Sequence, residues 1–118
     1  MKTNPPKRGE IWIVRFDPTV GAEIKKDRPA LIVSNDINNQ YASTVTILAI
    51  TGYKGEKIFP YEVLIPLLPE TGLTKESKVK CSQIRTVDKS RLLHLIGKIR
   101  DNWWLEIERA LKIHLGMD

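Results

Sequence analysis

The chain has 118 residues, of which 42% are hydrophobic; this suits one domain over residues 1–118 with a core of its own and excludes intrinsic disorder. Its formal net charge of +5 favours a polyanionic partner, either a nucleic acid or an acidic protein. The single cysteine, Cys81, excludes an internal disulfide and a cysteine-based zinc site, and it suits a reducing cytoplasm.

Strands and polar loops alternate through the first two thirds of the sequence. Residues 1–7 lack the apolar segment of a signal peptide, and no apolar run could span a membrane, so we expect a flexible arm rather than a leader or an anchor. Gly9–Phe16 alternates β-branched and aromatic residues, which predicts a strand that Asp17-Pro18 ends. Further strands are predicted at Pro29–Ser34, Thr44–Thr51, Glu62–Pro66 and Ser77–Ile84, and a turn or one helical turn at Asn35–Gln40.

The last third changes to helical spacing. Asp88 is expected to cap a short turn over Lys89–Leu92, and His94–Ile99 favours a strand. Asp101–Leu115 predicts a helix with Asp101 as its N-cap and Gly116 just past its end. Its apolar face comprises Trp104, Ile107, Leu111 and Leu115, with His114 beside them. Short strands followed by a terminal helix predict a mainly β fold, a small β-barrel with helices at one end.

The loop between the first two strands is unusually polar, which is typical of a loop with a function. Its hydrogen-bonding residues are Asp17, Thr19, Glu23, Lys25, Lys26, Asp27 and Arg28. A second loop, Gly52–Lys57, is basic and flexible. Both loops are candidates for contact with a polyanion.

Standard catalytic sets are missing from the sequence. His94 lies in an apolar, strand-like segment and His114 on the terminal helix, so both are expected to be structural. No carboxylates have metal-ligand spacing and no glycine-rich phosphate loop occurs, so we expect no metal and no cofactor. Cys81 lacks an obvious histidine partner and is expected to be a small buried residue rather than a nucleophile.

The remaining polar residues at strand ends suit RNA cleavage, because RNA carries its own nucleophile, the 2′-hydroxyl. Arginine stays charged and can stabilise a phosphorane through two hydrogen bonds, and a threonine hydroxyl can add another. Arg28 ends the polar loop and Thr51 ends the third strand. If their strands are neighbours, both side chains can meet at one rim of the barrel.

Four blocks of the sequence resemble the MazF/PemK family of toxin endoribonucleases. They occur in the family's order and spacing: RGEIWIVRFDPTVGAE, RPALIVSND, TVTILAIT and CSQIRTVDKSRL. The resemblance implies an SH3-like barrel with a C-terminal α-helix, assembled as a homodimer. It also implies sequence-specific, metal-independent cleavage of single-stranded RNA, leaving a 2′,3′-cyclic phosphate and a 5′-hydroxyl. The implied antitoxin blocks the RNA groove with an acidic C-terminal segment.

The family's functional residues transfer to matching positions. Its arginine of the Arg-Pro pair falls on Arg28 and its strand-closing threonine on Thr51, which the resemblance marks as catalytic. Glu23 matches a loop glutamate that is expected to contact RNA or to position Arg28. The expected substrate-binding residues are Glu23, Lys25, Lys26, Tyr53, Lys54, Lys80, Ser82, Gln83 and Arg85.

The sequence departs from the Kid/PemK branch of the family. That branch has a histidine in place of Ala22, and an arginine and an aspartate in place of Lys80 and Ser82. Its aspartate base and arginine acid therefore cannot be transferred, and the Arg28/Thr51 arrangement of the other branch fits better. Since the pKa of arginine exceeds about 12, we expect Arg28 to stabilise charge or donate a proton, while Glu23 or a phosphate oxygen accepts the 2′-hydroxyl proton.

Two other functions stay open. A CcdB-like gyrase-binding poison of the same fold would use the extreme C-terminus with a tryptophan near the end, whereas this chain ends in Leu-Gly-Met-Asp. An RNA-binding barrel that does not cleave would favour exposed aromatic residues in its groove. Aromatic residues make up only 7% of the chain, and Tyr53 is the best candidate for such a contact.

Overall fold

The computed structural model describes residues 4–24 and 26–118 and contains one six-stranded antiparallel sheet. The strands are β1 (Glu10–Arg15), β2 (Asp27–Ile32), β3 (Thr44–Gly52), β4 (Glu62–Ile65), β5 (Ser77–Asp88) and β6 (Leu92–Lys98). The helices are α1 (Asp36–Tyr41) and α2 (Trp104–Leu115), with 3-10 turns at Pro69–Thr71, Lys89–Arg91 and Asp101–Trp103. The predicted mainly β class with a C-terminal helix is confirmed.

The strand order β4-β5-β3-β2-β1-β6 leaves β4 and β6 at the two edges. Within the described residues these edges do not pair with each other, so the sheet is open rather than the hydrogen-bonded ring that a closed barrel requires. β4 spans only four residues, and two register shifts interrupt the pairing of β1 with β6. Neither edge therefore offers the long regular ladder that closure needs.

The second strand starts earlier than the sequence indicates. β2 begins at Asp27 rather than Pro29, so Arg28 and Pro29 lie inside the strand, opposite Val14 and Ile13 of β1. β5 also extends beyond its predicted end, because its second half pairs with the start of β3. These longer pairings fix where the side chain of Arg28 lies relative to its neighbours.

Two apolar clusters cover the two faces of the sheet, since alternate residues of a strand point to opposite sides. α2 covers the first cluster through Ile107 and Ala110, which are both buried. Trp104, which lies on the predicted apolar face, packs against the same cluster, and so does Trp103. The second cluster comprises Val14, Phe16, Ala30, Ile32, Val45, Ile47, Ala49 and Val87.

The predicted N-cap of the terminal helix is wrong. α2 begins at Trp104, and Asp101 lies in the preceding 3-10 turn, while Trp103 occupies the cap position without a side-chain hydrogen bond. The turn brings both indoles onto the core, and this burial outweighs a capping bond worth about 1 kcal/mol. Gly116 ends the helix at a φ of 70°, as predicted, whereas Leu115 is 51% exposed and lies off the packed face.

Side-chain caps define two short turns. The Asn35 side chain accepts a hydrogen bond from the Asn38 amide and starts α1. Of the two structures predicted for Asn35–Gln40, a turn or a helical turn, the segment forms the helix. Asp88 accepts a hydrogen bond from the Ser90 amide and caps the short turn before β6, as predicted.

The inner end of the predicted N-terminal arm is held by the fold. Pro6 is buried, and the Lys7 amide donates a 2.8 Å hydrogen bond to the Glu10 carboxylate. In the described part of the chain, no helix has the length and apolar character needed to cross a membrane.

Candidate RNA-binding and cleavage site

Arg28 and Thr51 line one pocket of about 390 Å³ at an end of the sheet. Ala30 of β2 pairs with Ala49 of β3, and continuing this register by two residues places Arg28 opposite Thr51. Side chains at such opposite positions point to the same face of the sheet. The sequence predicted that Arg28 and Thr51 would meet if their strands were neighbours. In the structure β2 and β3 are neighbours, and the two residues line the same pocket.

His94, which was expected to be structural, is exposed and lines the same pocket. It pairs with Ile13 of β1, whereas Arg28 pairs with the next residue, Val14. Because consecutive residues of a strand point to opposite faces, His94 and Arg28 border the pocket from opposite faces of the sheet. Nothing in the sequence predicted that His94 would line this pocket. Its side chain is not on the sheet face that carries Arg28 and Thr51.

Four of the predicted substrate-binding residues meet in a second pocket, of about 270 Å³. Its lining comprises Glu23, Ser82, Gln83 and Arg85 with Phe16, Ile24 and Ile84. The polar loop and β5 thus form opposite walls of one groove, although about 60 residues separate them in the sequence.

A β-bulge places the β5 wall of this groove. Leu48 of β3 pairs with Ile84, but the next residue, Ala49, pairs with Lys80, so Cys81–Gln83 have no partner in β3. A bulge bends its strand and re-aims the side chains. Ser82 and Gln83 consequently lie in the groove rather than within a regular ladder.

Two arginines fix the base of the polar loop. Arg85 donates a 2.9 Å hydrogen bond to the Phe16 carbonyl and lies over the Phe16 ring, 5.7 Å from its centroid. Arg91 donates hydrogen bonds to the carbonyls of Arg15 and Asp17, at 3.0 and 2.6 Å. Arg85 therefore holds the loop as well as lining the groove, and Arg91 is a positioning residue that sequence reasoning missed.

The other predicted substrate-binding residues are spread around these pockets. Lys26 is exposed and has a φ of 67°, a conformation that non-glycine residues seldom adopt, while its carbonyl accepts the Phe16 amide. Lys54 is exposed and Tyr53 half-buried at the end of β3. Lys80 lies 3.7 Å from the buried carboxylate of Glu62, so a structural ion pair engages it. Lys25 lies outside the described residues.

Comparison with known proteins decides the family. A model of the PemK-like, MazF-like toxins of type II toxin–antitoxin systems matches residues 7–115. The chain belongs to this toxin family. The toxin is 36% identical over 116 residues to Endoribonuclease MazF9 of Mycobacterium tuberculosis, covering 94% of the toxin and 97% of that relative.

Solved structures share the fold of the toxin. MazF (Form-I) from Deinococcus radiodurans matches with a TM-score of 0.83 and 23% identity, over 98% of the toxin and 100% of that chain. A mycobacterial endoribonuclease in complex with its cognate antitoxin matches with a TM-score of 0.77 and 24% identity, over 96% and 97% of the two chains. At these identities the likeness establishes the six-stranded sheet with its C-terminal helix.

Cys81 of the toxin is a buried thiol. Its side chain is 0% exposed, and burial, with the nearby charge of Glu62 contributing, raises the pKa of the Cys81 thiol to about 12. We expect an aromatic disulfide reagent at pH 8 to leave the native toxin unlabelled and to titrate one thiol after unfolding in urea. Rapid labelling of the native toxin would contradict this burial.

Proposed function

We propose that the toxin is a sequence-specific, metal-independent endoribonuclease that cleaves single-stranded RNA in the cytoplasm. The observation that carries this proposal is the convergence of Arg28 and Thr51 in one pocket. A separate groove between the polar loop and the β5 bulge supports it. The family and the similarity to an endoribonuclease support the same activity.

The proposed reaction uses the RNA's own 2′-hydroxyl as the nucleophile. Its oxygen forms a bond to phosphorus while the bond from phosphorus to the 5′-oxygen breaks, which leaves a 2′,3′-cyclic phosphate and a 5′-hydroxyl. The 2′-hydroxyl proton passes to the Glu23 carboxylate or to a phosphate oxygen. Arg28 stabilises the phosphorane charge and donates a proton to the departing oxygen, and the Thr51 hydroxyl donates a hydrogen bond to a phosphate oxygen.

The groove residues bind the bases and the backbone in this proposal. Glu23, Ser82, Gln83 and Arg85 provide acceptors and donors suited to base edges. Lys25, Lys26, Lys54 and Lys80 provide positive charge for phosphates, and Tyr53 provides a ring for stacking. The two loops, residues 23–27 and 52–59, are the segments expected to decide which RNA sequence is cut.

Two protein partners complete the proposal: a second copy of the chain in a homodimer, and a cognate antitoxin. The net charge of +5 suits an antitoxin whose acidic C-terminal segment occupies the RNA groove. Occupation of the groove by carboxylates would exclude RNA phosphates from the same cations.

Incubation of a long single-stranded RNA with the toxin and EDTA tests the activity. Discrete cuts with 2′,3′-cyclic phosphate ends support the proposal. Retention of intact RNA would instead indicate a non-cleaving RNA-binding protein, and neither cutting nor binding would leave a gyrase-binding poison as the alternative. The described part of the chain contains no group of three His, Cys, Asp or Glu side chains able to hold a metal ion, and EDTA tests metal independence directly.

Replacement of Thr51 by alanine is expected to slow cleavage by about tenfold, because one neutral hydrogen bond to the phosphate is lost. Single-turnover cleavage of a short oligoribonucleotide measures the effect without a contribution from product release. Thr44, at the other end of β3, serves as the control, and Thr44→Ala is expected to cut normally. An unchanged rate for Thr51→Ala would exclude a role for its hydroxyl.

A further inference from the structure

A buried lysine lies directly beside Thr51. The β3–β5 register pairs Thr51 with Lys78, and the β2–β3 register continued by two residues places Arg28 on the other side of Thr51. All three side chains therefore belong to one cross-strand row on one face of the sheet. The Lys78 side chain is only 8% exposed, and the sequence marks it as an ordinary strand residue.

Two carboxylates neutralise this lysine. The Lys78 ammonium lies 3.0 Å from Glu56 Oε2 and 3.2 Å from Glu62 Oε2. Glu62 is itself 2% exposed in its side chain and also lies 3.7 Å from the Lys80 ammonium. A buried ammonium requires such partners, because an unpaired charge away from water is strongly unfavourable.

The same two carboxylates hold the loop that follows β3. Glu56 Oε1 accepts a 2.7 Å hydrogen bond from the Lys54 amide, near the start of this loop. Glu62 Oε1 accepts a 3.0 Å hydrogen bond from the Phe59 amide, near its end. Lys78 thus connects two anchors that fix opposite ends of residues 53–61, the segment that carries Tyr53 and Lys54.

The network stays charged at neutral pH. Backbone hydrogen bonds of Glu56 and Lys54, with a contribution from Lys78, lower the pKa of the Glu56 carboxyl to about 2. Burial acts to lower the pKa of Lys78, but its hydrogen bonds with Glu56 and Glu62 outweigh that cost and raise it. The ion pairs therefore persist wherever the toxin is folded near pH 7.

We propose that Lys78 is a positioning residue that, through Glu56 and Glu62, fixes the 53–61 loop beside Thr51 so that Tyr53 and Lys54 meet the RNA in a set arrangement. The role of this loop in RNA recognition rests on the proposed cleavage of RNA. The claim that Lys78 holds the 53–61 loop rests only on the observed contacts, and it can be tested without any substrate.

Amide hydrogen exchange tests the structural part. In Lys78→Met the Lys54 and Phe59 amides are expected to exchange at least about tenfold faster, while Lys78→Arg, which keeps the charge, restores protection. If Lys78→Met does not fold, Glu56→Gln removes only the more exposed ion pair, and faster exchange at Lys54 is expected there. Unchanged exchange at Lys54 and Phe59 in the folded variants would overturn the proposal.

Steady-state cleavage tests the functional part. Glu56→Gln is expected to raise KM by up to about fivefold with kcat unchanged, and to narrow the preference between cognate and single-base variant RNAs. Glu76→Gln is the matched control, since it removes the same charge at the base of the loop. The Glu76 side chain makes no ion pair within residues 4–24 and 26–118. Equal KM and equal preference in both variants would overturn the role in recognition. Failure of the wild-type toxin to cut RNA would refute the proposed function while the exchange result still stood.

Discussion

Arg28→Ala is expected to reduce RNA cleavage at least about a hundredfold, the loss typical when a preorganised donor to a transition-state oxyanion is removed. Alanine cannot neutralise the phosphorane, and the Thr51 hydroxyl opposite it supplies only a neutral hydrogen bond. The measurement is single-turnover cleavage of an oligoribonucleotide. Thermal unfolding is expected to stay near the wild-type value, because the side chain is half-buried at the sheet end rather than in the core.

Arg15→Ala is the matched control for this change. Arg15 is exposed at the end of β1 and loses the same guanidinium on substitution, but it lies outside both pockets. Normal cleavage by Arg15→Ala with loss in Arg28→Ala would separate a local role from a general decrease in positive charge. Wild-type cleavage by folded Arg28→Ala would refute the assignment of Arg28 as catalytic.

Gly97→Ala is expected to destabilise the toxin by about 3 kcal/mol, at the upper end of the usual cost of overpacking. A Cβ at Gly97 would lie 2.3 Å from the carbonyl carbon and oxygen of Thr71 and 2.4 Å from the Glu70 carbonyl oxygen. These are backbone atoms of a 3-10 turn that cannot rotate away, so β6 and the turn must separate. Thermal unfolding followed by circular dichroism should show a decrease in Tm of about 10 °C or more.

Lys98→Ala tests whether this loss is specific to the contact. Lys98 is the next residue of β6, is exposed, and is expected to shift the Tm by no more than about 3 °C on truncation. A wild-type Tm for Gly97→Ala would mean that β6 and the Pro69–Thr71 turn do not pack as closely as described.

The errors in the sequence-based expectations share a physical cause. The Asp101 cap followed a local preference, but burial of Trp103 and Trp104 moved the start of the helix. The β5 bulge at Cys81–Gln83 interrupts the pairing of β5 with β3, and the alternation of residues within one strand does not record its register with a partner. Local patterns therefore predicted the elements better than their ends and irregularities.

The candidate site also contains residues that the sequence predicted and one that it did not. Arg28, Thr51 and the groove residues were predicted from chain chemistry and from the family resemblance, because polar residues at strand ends and in one loop are visible in the sequence. Lys78 was not predicted as a site residue, since its carboxylate partners lie 16 and 22 residues away in the sequence. Its burial depends on the packing of β4 against β5.

The sequence by itself determined that this is a mainly β toxin of the PemK and MazF type, and it predicted an arginine–threonine pair for RNA cleavage. Periodicity, turn residues and the chemistry of the side chains are properties of the chain. Only the tertiary structure decided that Arg28, Thr51 and Lys78 form one row, because register between strands is fixed by long-range pairing and burial. The same pairing places the buried ion pairs of Lys78 beside the pocket that Arg28 and Thr51 line. No single segment of the sequence predicts this arrangement.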